Sequence, residues 1–325
     1  MACMGLLVDG VWKDQWYDTK SSGGRFVRAD AAFRDRVTAD GSSGFRAEPG
    51  RYHLYVSLAC PWAHRTLIFR KLKRLEDAIS LSVVDPLMGA DGWTFGDGPD
   101  CIPDHVNGAR FLHEIYTLAK RDYTGRVTVP VLWDRQKRTI VNNESAEIIR
   151  MLNSEFDAFG DASLDFCPAD LRNEIDALNA VVYAKVNNGV YRCGFATTQE
   201  AYEEAFAELF ETLAELDVRL ARSRYLLGDR ITEADWRLFT TLVRFDAVYF
   251  GHFKCNLARI ADHPNLSGYL RDLYQVPGVA DTVSFAHIKR HYYASHRTIN
   301  PTGIVPVGPG QDLGLPHHRH LLGGA

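Results

Sequence analysis

The sequence predicts an α/β domain followed by an all-α domain, with an irregular extension before the first and a tail after the second. The chain has 325 residues, which at roughly 100–200 residues per domain corresponds to about two domains. Residues 51–155 alternate between short apolar strands and amphipathic helices, whereas residues 168–293 show long helical apolar spacing. Residues 1–50 and 294–325 are rich in glycine with polar residues or proline, and they predict the extension and the tail.

The α/β domain is predicted to have the element order β-α-β-α-β-β-α. Apolar side chains occupy alternate positions in the first strand, residues 52–58, as in a strand with one buried face. A helix at 62–75 and a strand at 79–84 complete a strand–helix–strand unit, and such units imply parallel pairing. The last two strands, 127–134 and 138–141, are close enough in sequence to form a hairpin.

Residues 86–109 predict a long loop before a helix at 109–121. The loop contains many Gly, Asp and Pro residues, and Trp93 and Phe95 are its main apolar anchors. Loops of this length in compact domains are usually functional, so this segment is a candidate part of a site.

The all-α domain is predicted to contain helices at 170–186, 199–221 and 232–250. Thr232 is placed to cap the last of these, with Asp235 at the third helical position. The change from mixed to purely helical spacing marks the boundary between the two domains.

The composition excludes several classes of protein. Lys and Arg total 37 and Asp and Glu total 41, a formal charge of −4, whereas a general nucleic-acid binder is usually clearly basic. No apolar run approaches the ~18 residues of a membrane-spanning helix, and residues 1–10 lack the pattern of a secretory signal. Six cysteines are scattered through the chain, which argues against a disulfide scaffold and for a reducing cytoplasm: Cys3, Cys60, Cys101, Cys167, Cys193 and Cys255.

Cys60 is the one cysteine whose context predicts reactivity. It follows the first predicted strand and precedes Pro61, a residue suited to the first turn of a helix. The free N–H groups and dipole of a helix N-terminus stabilise a thiolate, the reactive form of cysteine. Ala63 stands where a redox dithiol would carry its second cysteine, so the thiol that resolves a mixed disulfide must come from outside the chain. A small thiol such as glutathione is the simplest source.

Two further motifs suggest a peptide-like ligand. Pro130 interrupts a strand, which indicates an edge, a bulge or a cis bond, and a cis bond would present the Val129 backbone to an extended ligand. Glu144 and Ser145 begin a predicted helix, where N–H groups and a hydroxyl suit a ligand carboxylate and Glu144 suits an ammonium. The alternatives are an ordinary loop proline, and simple capping by Asn143 or Ser145.

Together these motifs resemble a cytosolic glutathione transferase, and Cys60-Pro61-Trp62-Ala63 resembles its glutathionyl-hydroquinone reductase branch, the Xi class. The resemblance covers most of residues 8–309. Other stretches that match the family are Gly92-Trp93-Thr94-Phe95, Asn188-Gly189-Val190-Tyr191, Asp246-Ala247-Val248-Tyr249, His252-Phe253-Lys254-Cys255-Asn256, His291-Tyr292-Tyr293, Ser295-His296 and Ile299-Asn300-Pro301.

The resemblance implies a thioredoxin-like glutathione-binding domain (51–155), an all-helical domain (168–293) and a homodimer. It implies that Cys60 is the nucleophile. The glutathione-contacting positions it implies are Trp93, Arg126, Val129, Glu144 and Ser145. The tyrosines it places beside a hydroquinone are Tyr191, Tyr249 and Tyr292, which by themselves would pass for ordinary packing aromatics.

The expected activity is reduction of glutathionyl-hydroquinones with glutathione as co-substrate and no metal. One alternative is a broader thiol transferase or dehydroascorbate reductase, similar to omega-class relatives, which needs Cys60 but not the tyrosines. Another is a non-enzymatic binding module with the same fold. His317, His318 and His320 resemble a metal cluster but lie in the Gly/Pro tail, and the basic residues at 70–74 indicate a solvated helix face rather than a nucleic-acid site.

Overall fold

The computed structural model describes residues 5–322, so Cys3, predicted to be a bystander, lies outside the described residues. The chain divides into two compact units. The α/β unit comprises the residues up to Tyr17, Ala29–Leu164 and Thr282–Val305. The helical unit comprises Asp18–Arg28, Asp165–Asp281 and the residues from Pro306 onward. Each unit is made of several separate chain segments, and the continuous domain boundaries expected from the sequence, 51–155 and 168–293, remain a prediction.

Strands and helices alternate in the first part of the chain, and helices alone follow. The strands are β1 (Leu6–Val8), β2 (Val11–Lys13), β3 (Tyr52–Val56), β4 (Ile79–Val83), β5 (Gly125–Arg126), β6 (Val131–Asp134) and β7 (Thr139–Asn142). The helices are α1 (Pro61–Leu72), α2 (Leu112–Ala119), α3 (Ser145–Ser154), α4 (Arg172–Val181), α5 (Gly189–Phe195), α6 (Gln199–Leu220), α7 (Glu233–Arg244), α8 (Leu266–Tyr274) and α9 (Phe285–Ser295). Two π-helical segments are Val182–Asn187 and Phe245–Tyr249, and short 3-10 turns are Asp157–Phe159, Ile260–Asp262, Ala280–Thr282 and Arg319–Leu321.

The central sheet of the α/β unit has the strand order β4-β3-β6-β7. β3 and β4 are parallel across α1, and β6 and β7 form the predicted antiparallel hairpin. The parallel pairing implied for the second strand–helix–strand unit is wrong, because β6 runs antiparallel to β3. β6 begins beside the end of β3, with Val131 opposite Tyr55, which is the end of the sheet where β4 also ends. The chain therefore re-enters the sheet at the end it left, and β6 runs in the opposite direction.

β3 is an inner strand with both faces buried, although alternation in its sequence predicts one polar face. The polar residue His53 is only 2% exposed, and its ring nitrogens bond the hydroxyls of Ser80 (2.7 Å) and Ser82 (2.9 Å) on β4. Burial lowers the pKa of His53 to about 4. A hydrogen-bonded histidine therefore fills a position that the periodicity assigns to solvent.

β1 and β2 form a hairpin in the segment predicted to be irregular, and β1 also pairs with β5. The hairpin turns at Asp9-Gly10, and both residues have positive φ, 48° and 77°. A side chain at Gly10 would place its Cβ 2.1 Å from the carbonyl oxygen of Arg121, so only glycine fits. Asp-Gly between apolar residues is a strong hairpin signal, and it was available in the sequence.

The helical unit contains the predicted helices, with differences at their ends. α4 and α7 each run into a π-helical segment, so the predicted helices at 170–186 and 232–250 change their hydrogen-bonding pattern part-way. The capping box predicted for α7 is confirmed: Asp235 accepts from the backbone N–H (2.8 Å) and hydroxyl (3.0 Å) of Thr232. Within residues 5–322, no helix has the length and apolar character needed to cross a membrane.

Candidate active site

Cys60 occupies the N-cap of α1, with Pro61 in the first turn. Its backbone carbonyl accepts the first helical hydrogen bond, from His64 (3.0 Å). The thiol is half-buried, and its Sγ donates to the carbonyl oxygen of Val129 at 3.6 Å. The predicted geometry, a thiol at the positive end of a helix, is present, and α1 is long enough to have an effective dipole.

Val129-Pro130 is a cis peptide bond, one of the three possibilities that the proline indicated. It lies directly before β6, an inner strand, so the edge position is wrong. The Val129 carbonyl therefore lies beside the Cys60 thiol, on the main chain that leads into the sheet. This is a position from which backbone groups can pair with an extended ligand.

Glu144 caps α3 itself, so the alternative of capping by Asn143 or Ser145 is wrong. Its carboxylate accepts from the backbone N–H of Ala146 at 3.0 Å. Asn143 instead accepts from the backbone N–H of Phe33 (3.0 Å). Ser145 is buried, and its hydroxyl accepts from the Arg65 guanidinium at 3.2 Å.

Arg65 is a further residue of this corner, and no sequence motif indicates it. It is 1% exposed and lies with its guanidinium 4.5 Å from the Trp62 ring centroid. Its hydrogen bond to Ser145 places a cation at the N-terminus of α3. A buried cation and a helix N-terminus both favour an anion, so this corner of the unit suits a carboxylate.

Arg126 is held by the N-terminal segment of the chain. Its guanidinium donates to the backbone carbonyl of Gln15 (2.6 Å) and lies 4.2 Å from the Tyr17 ring centroid. Burial lowers the pKa of Arg126, with Tyr17 opposing this effect. Residues 1–50 are predicted to form an irregular extension, and this segment contributes to the surroundings of a candidate glutathione-contacting residue.

Trp93 lies in a loop without helix or strand, as predicted for residues 86–109. Its backbone carbonyl accepts from Leu112 at the start of α2 (2.9 Å). Trp12 supports the loop from the other side, with its indole N–H bonded to the carbonyl of Ala90 (2.7 Å). Gly92 has φ +75°, and a Cβ there would lie 2.7 Å from the Trp12 ring. The backbone that carries Trp93 is therefore fixed on two sides.

The three candidate tyrosines are divided between the two units. Tyr292 belongs to the α/β unit, is 1% exposed, and makes edge contacts with His291 (5.2 Å) and His296 (5.4 Å). Tyr191 and Tyr249 belong to the helical unit, where their ring centroids are 6.1 Å apart.

Phe253 packs at 5.5 Å from both Tyr191 and Tyr249. Arg28 places its guanidinium 5.0 Å from the Tyr191 ring centroid and donates to Asn188 (2.8 Å). Tyr249 lies in the π-helical segment Phe245–Tyr249, and such segments often occur at functional sites. The helical unit thus brings together two tyrosines that are 58 positions apart in sequence.

Comparison with known proteins identifies the family. Residues 59–155 match the family model described as the glutathione S-transferase N-terminal domain, and residues 199–272 match the C-terminal domain of the same family. Glutathionyl-hydroquinone reductase PcpF from Sphingobium chlorophenolicum is 61% identical over 95% of this chain and 98% of its own length. Glutathionyl-hydroquinone reductase YqjG from Escherichia coli K12 is 59% identical, covering 98% of this chain and 99% of its own length.

The chain belongs to the glutathionyl-hydroquinone reductases, a branch of the glutathione transferases. Among solved structures, the Xi-class glutathione transferase from Natrialba magadii superposes with a TM-score of 0.94, at 52% identity and 98% coverage of both chains. The glutathione-bound structure of YqjG superposes with a TM-score of 0.90, at 55% identity, 98% coverage of this chain and 99% of that one. The glutathione transferase fold and the Xi-class resemblance are thereby confirmed.

In this glutathione transferase the other cysteines differ from Cys60 in their surroundings. Cys167, Cys193 and Cys255 are buried. Burial, together with a hydrogen bond from the Cys255 thiol to Cys193, raises the pKa of Cys255 well above its ordinary value. Burial and then the charge of Asp85 raise the pKa of Cys101, which is half-exposed like Cys60.

Proposed function

We propose that this enzyme reduces glutathionyl-hydroquinones to hydroquinones. One glutathionyl-hydroquinone and one glutathione are consumed, and one hydroquinone and one oxidised glutathione are formed. The observation that carries the proposal is Cys60 at the N-cap of α1, beside the Val129 carbonyl and without a cysteine at position 63. Such a thiol can form a mixed disulfide but needs an external thiol to resolve it.

In the first step the Cys60 thiolate attacks the glutathione sulfur of the substrate. The new bond is the disulfide between Cys60 and glutathione, and the bond that breaks joins that sulfur to the aromatic carbon. The electron pair of the broken bond stays on the ring carbon, which then takes a proton. The ring is reduced, and the two sulfurs are oxidised to a disulfide.

In the second step the thiolate of another glutathione attacks the glutathione sulfur of the mixed disulfide. Oxidised glutathione leaves, and its departure returns the Cys60 thiolate. Because the two substrates act in separate steps around a covalent intermediate, ping-pong kinetics are expected.

We assign glutathione binding to Trp93, Arg126, Val129, Glu144 and Ser145. The Val129 main chain pairs with the extended tripeptide, as in strand addition. Glu144 takes the ammonium group. The Ser145 hydroxyl and the N-terminus of α3, with Arg65 beside them, take a carboxylate.

We assign the hydroquinone to Tyr191, Tyr249 and Tyr292. Their hydroxyls can hydrogen-bond the hydroquinone oxygens and supply the proton that the ring carbon needs. The Arg28 guanidinium, 5.0 Å from the Tyr191 ring centroid, makes a cation–π contact that helps to hold this ring in place.

Substitution of Cys60 tests the mechanism. Cys60→Ala should lower the turnover of a glutathionyl-hydroquinone by at least about 10³-fold, because no nucleophile remains. Cys60→Ser should be severely impaired, since a hydroxyl is a poor nucleophile at neutral pH. Turnover is measured with excess glutathione, and intact mass is recorded after exposure to oxidised glutathione alone.

Cys101→Ser is the matched control, since Cys101 is also half-exposed. It should keep full turnover and gain one glutathionyl group, whereas Cys60→Ala should gain none. Retained turnover in Cys60→Ala would remove Cys60 from the mechanism. An unmodified wild-type protein would favour a binding module.

The names of more distant relatives favour a second candidate. A protein from Schizosaccharomyces pombe named glutathione S-transferase omega-like 2 is 48% identical over 90% of this chain. A broader thiol transferase would use Cys60 on disulfides or dehydroascorbate. A substrate panel with and without an aromatic ring separates the candidates, because the first predicts a strong preference for glutathionyl-hydroquinones.

We further propose a cytoplasmic homodimer that works without a metal ion and without nucleic-acid or membrane partners. The scattered positions of the six cysteines, which do not have the spacing of a disulfide scaffold, support the reducing compartment. Light scattering of the purified chain measures its oligomeric state, and activity after treatment with a chelator measures metal dependence. A monomer, or loss of turnover on chelation, would contradict the corresponding statement.

A further inference from the structure

Three hydrogen bonds join α9 to the loop that carries Trp93. His287, His291 and Ser295 are four residues apart, so they share one face of α9. His291 Nδ1 lies 3.0 Å from the carbonyl oxygen of Pro86, and His287 Nε2 lies 2.7 Å from that of Pro99. The Ser295 hydroxyl accepts from the backbone N–H of Met88 at 2.9 Å.

The His291 bond determines how its ring is oriented. A carbonyl oxygen can only accept, so Nδ1 of His291 carries the hydrogen. This bond, to Pro86, is made by a ring that is only 6% exposed. The imidazole therefore has one preferred plane and one preferred tautomer.

That ring lies against the indole of Trp93. The two ring centroids are 4.7 Å apart with an interplanar angle of 22°, a stacked pair. The hydrogen bond from Leu112 fixes the Trp93 backbone but does not by itself set the side-chain torsions of the indole. The stacked imidazole supplies the constraint on the indole itself.

We propose that His291 is a positioning residue for glutathione binding, acting through the Trp93 indole. Its ring face orients the indole, and its bond to Pro86 holds the ring in place. This inference rests on the proposed role of Trp93 in binding glutathione. It also explains why α9, which follows the helical unit in sequence, belongs with the α/β unit.

Three variants at position 291 separate the ring from the hydrogen bond. His291→Phe keeps an aromatic face and loses the donor. His291→Asn keeps a donor close to Nδ1 and loses the face, and His291→Ala loses both. We expect Ala and Asn to weaken glutathione binding roughly three- to tenfold, and Phe to recover most of the affinity.

The primary measurement is the Kd of glutathione, from calorimetry and from Trp fluorescence, in a Cys60→Ser background that prevents turnover. Steady-state kinetics of the single variants give a second readout. The KM for the glutathionyl-hydroquinone, whose glutathionyl group occupies this site in the first step, should rise by a similar factor, while kcat at saturating substrate changes less than about twofold. A higher Kd for His291→Asn, together with a Kd near the wild-type value for His291→Phe, supports positioning of the Trp93 indole by the ring at position 291.

His287→Ala is the matched control, because it removes a buried donor from the same helix face, at the Pro99 end of the loop. It should lower Tm as much as His291→Ala does and leave the Kd unchanged. Equal loss of affinity in both variants, or an Asn variant that binds like wild type, would overturn the proposal.

Trp93→Ala separates this inference from the proposed function. If Trp93→Ala leaves the Kd unchanged, the assignment of Trp93 to glutathione fails, and the inference fails with it. If Trp93→Ala weakens binding and the His291 variants do not, His291 is not a positioning residue and the proposed function stands. Absence of glutathionyl-hydroquinone turnover in the wild type would contradict the proposed function alone.

Discussion

Cys60 and Cys101 are both half-exposed thiols, so exposure does not distinguish them. Their position on the main chain does. Cys60 begins α1, whereas Cys101 lies in the long loop, where burial and Asp85 raise its pKa. The charge on a thiolate is favoured by the first surroundings and disfavoured by the second. The local sequence Cys-Pro before an amphipathic helix was enough to predict this difference.

Tyrosine variants test the proposed hydroquinone site. Tyr191→Phe, Tyr249→Phe and Tyr292→Phe each remove one hydroxyl and keep the ring, so the packing of buried aromatics is retained. Each should lower kcat for a glutathionyl-hydroquinone by about 10- to 100-fold, because proton transfer and hydrogen bonding to the hydroquinone are weakened. Turnover of a non-aromatic disulfide should change little.

Tyr202→Phe serves as the control for these variants. Its hydroxyl donates to the Lys254 carbonyl (2.7 Å) in the helical unit, outside the proposed site. It should behave like wild type with both substrates. If all three site variants turned over the glutathionyl-hydroquinone as fast as wild type, the omega-like alternative would be favoured.

At the scale of elements, the buried His53 links β3 to β4 and makes stability depend on pH. The pKa of His53 is lowered to about 4, chiefly by burial, whereas an exposed histidine titrates near 6.5. Below about pH 6.5 the unfolded chain binds a proton at this residue and the folded chain does not, so stability falls as the pH decreases. The loss from this residue ends near pH 4, where the folded form is also protonated.

The predicted cost is about 2 kcal/mol between pH 7 and pH 5. His53→Gln removes the titration and can keep one hydrogen bond to the serines of β4. The decrease in Tm between pH 7 and pH 5 should be smaller in His53→Gln than in wild type, as measured by thermal unfolding. His113→Gln is the comparison, since burial also lowers the pKa of that histidine but it is only half-buried. An unchanged pH dependence in His53→Gln would show that His53 already titrates normally in the folded chain.

At the scale of the whole molecule, the N-terminal segment is part of the α/β unit that carries the residues proposed to bind glutathione. β1 pairs with β5, Trp12 packs on Gly92, and Tyr17 covers Arg126. Removal of residues 1–17 should therefore raise the KM for the glutathionyl-hydroquinone, whose glutathionyl group occupies this site, by roughly 3- to 30-fold, with a smaller effect on kcat. Steady-state kinetics with varied glutathionyl-hydroquinone at excess glutathione measure both constants.

Tyr17→Leu tests the same idea without truncation, because it removes only the aromatic face at Arg126. It should raise the KM about threefold. Arg25→Ala is the control, since Arg25 lies in the extension but forms its ion pairs with Glu200 and Glu204 of the helical unit. An unchanged KM in the truncated chain would place the N-terminal segment outside the glutathione site.

Local patterns predicted much of this fold. The order of strands and helices, the long loop, the α7 capping box and the cis-proline alternative all depend on neighbouring residues. The antiparallel course of β6 and the buried polar face of β3 were not predictable in this way, because both depend on which strands lie alongside. The Asp9-Gly10 hairpin was a missed local signal rather than a tertiary effect.

The sequence by itself determined where a reactive thiol can form, because a helix N-terminus and a proline act within a few residues of Cys60. Only the tertiary structure decided which residues surround that thiol and the other candidate site residues. Arg65 reaches Ser145 across 80 positions, and His291 stacks on Trp93 across 198. These pairings depend on the packing of distant segments, and no periodicity within a segment contains them.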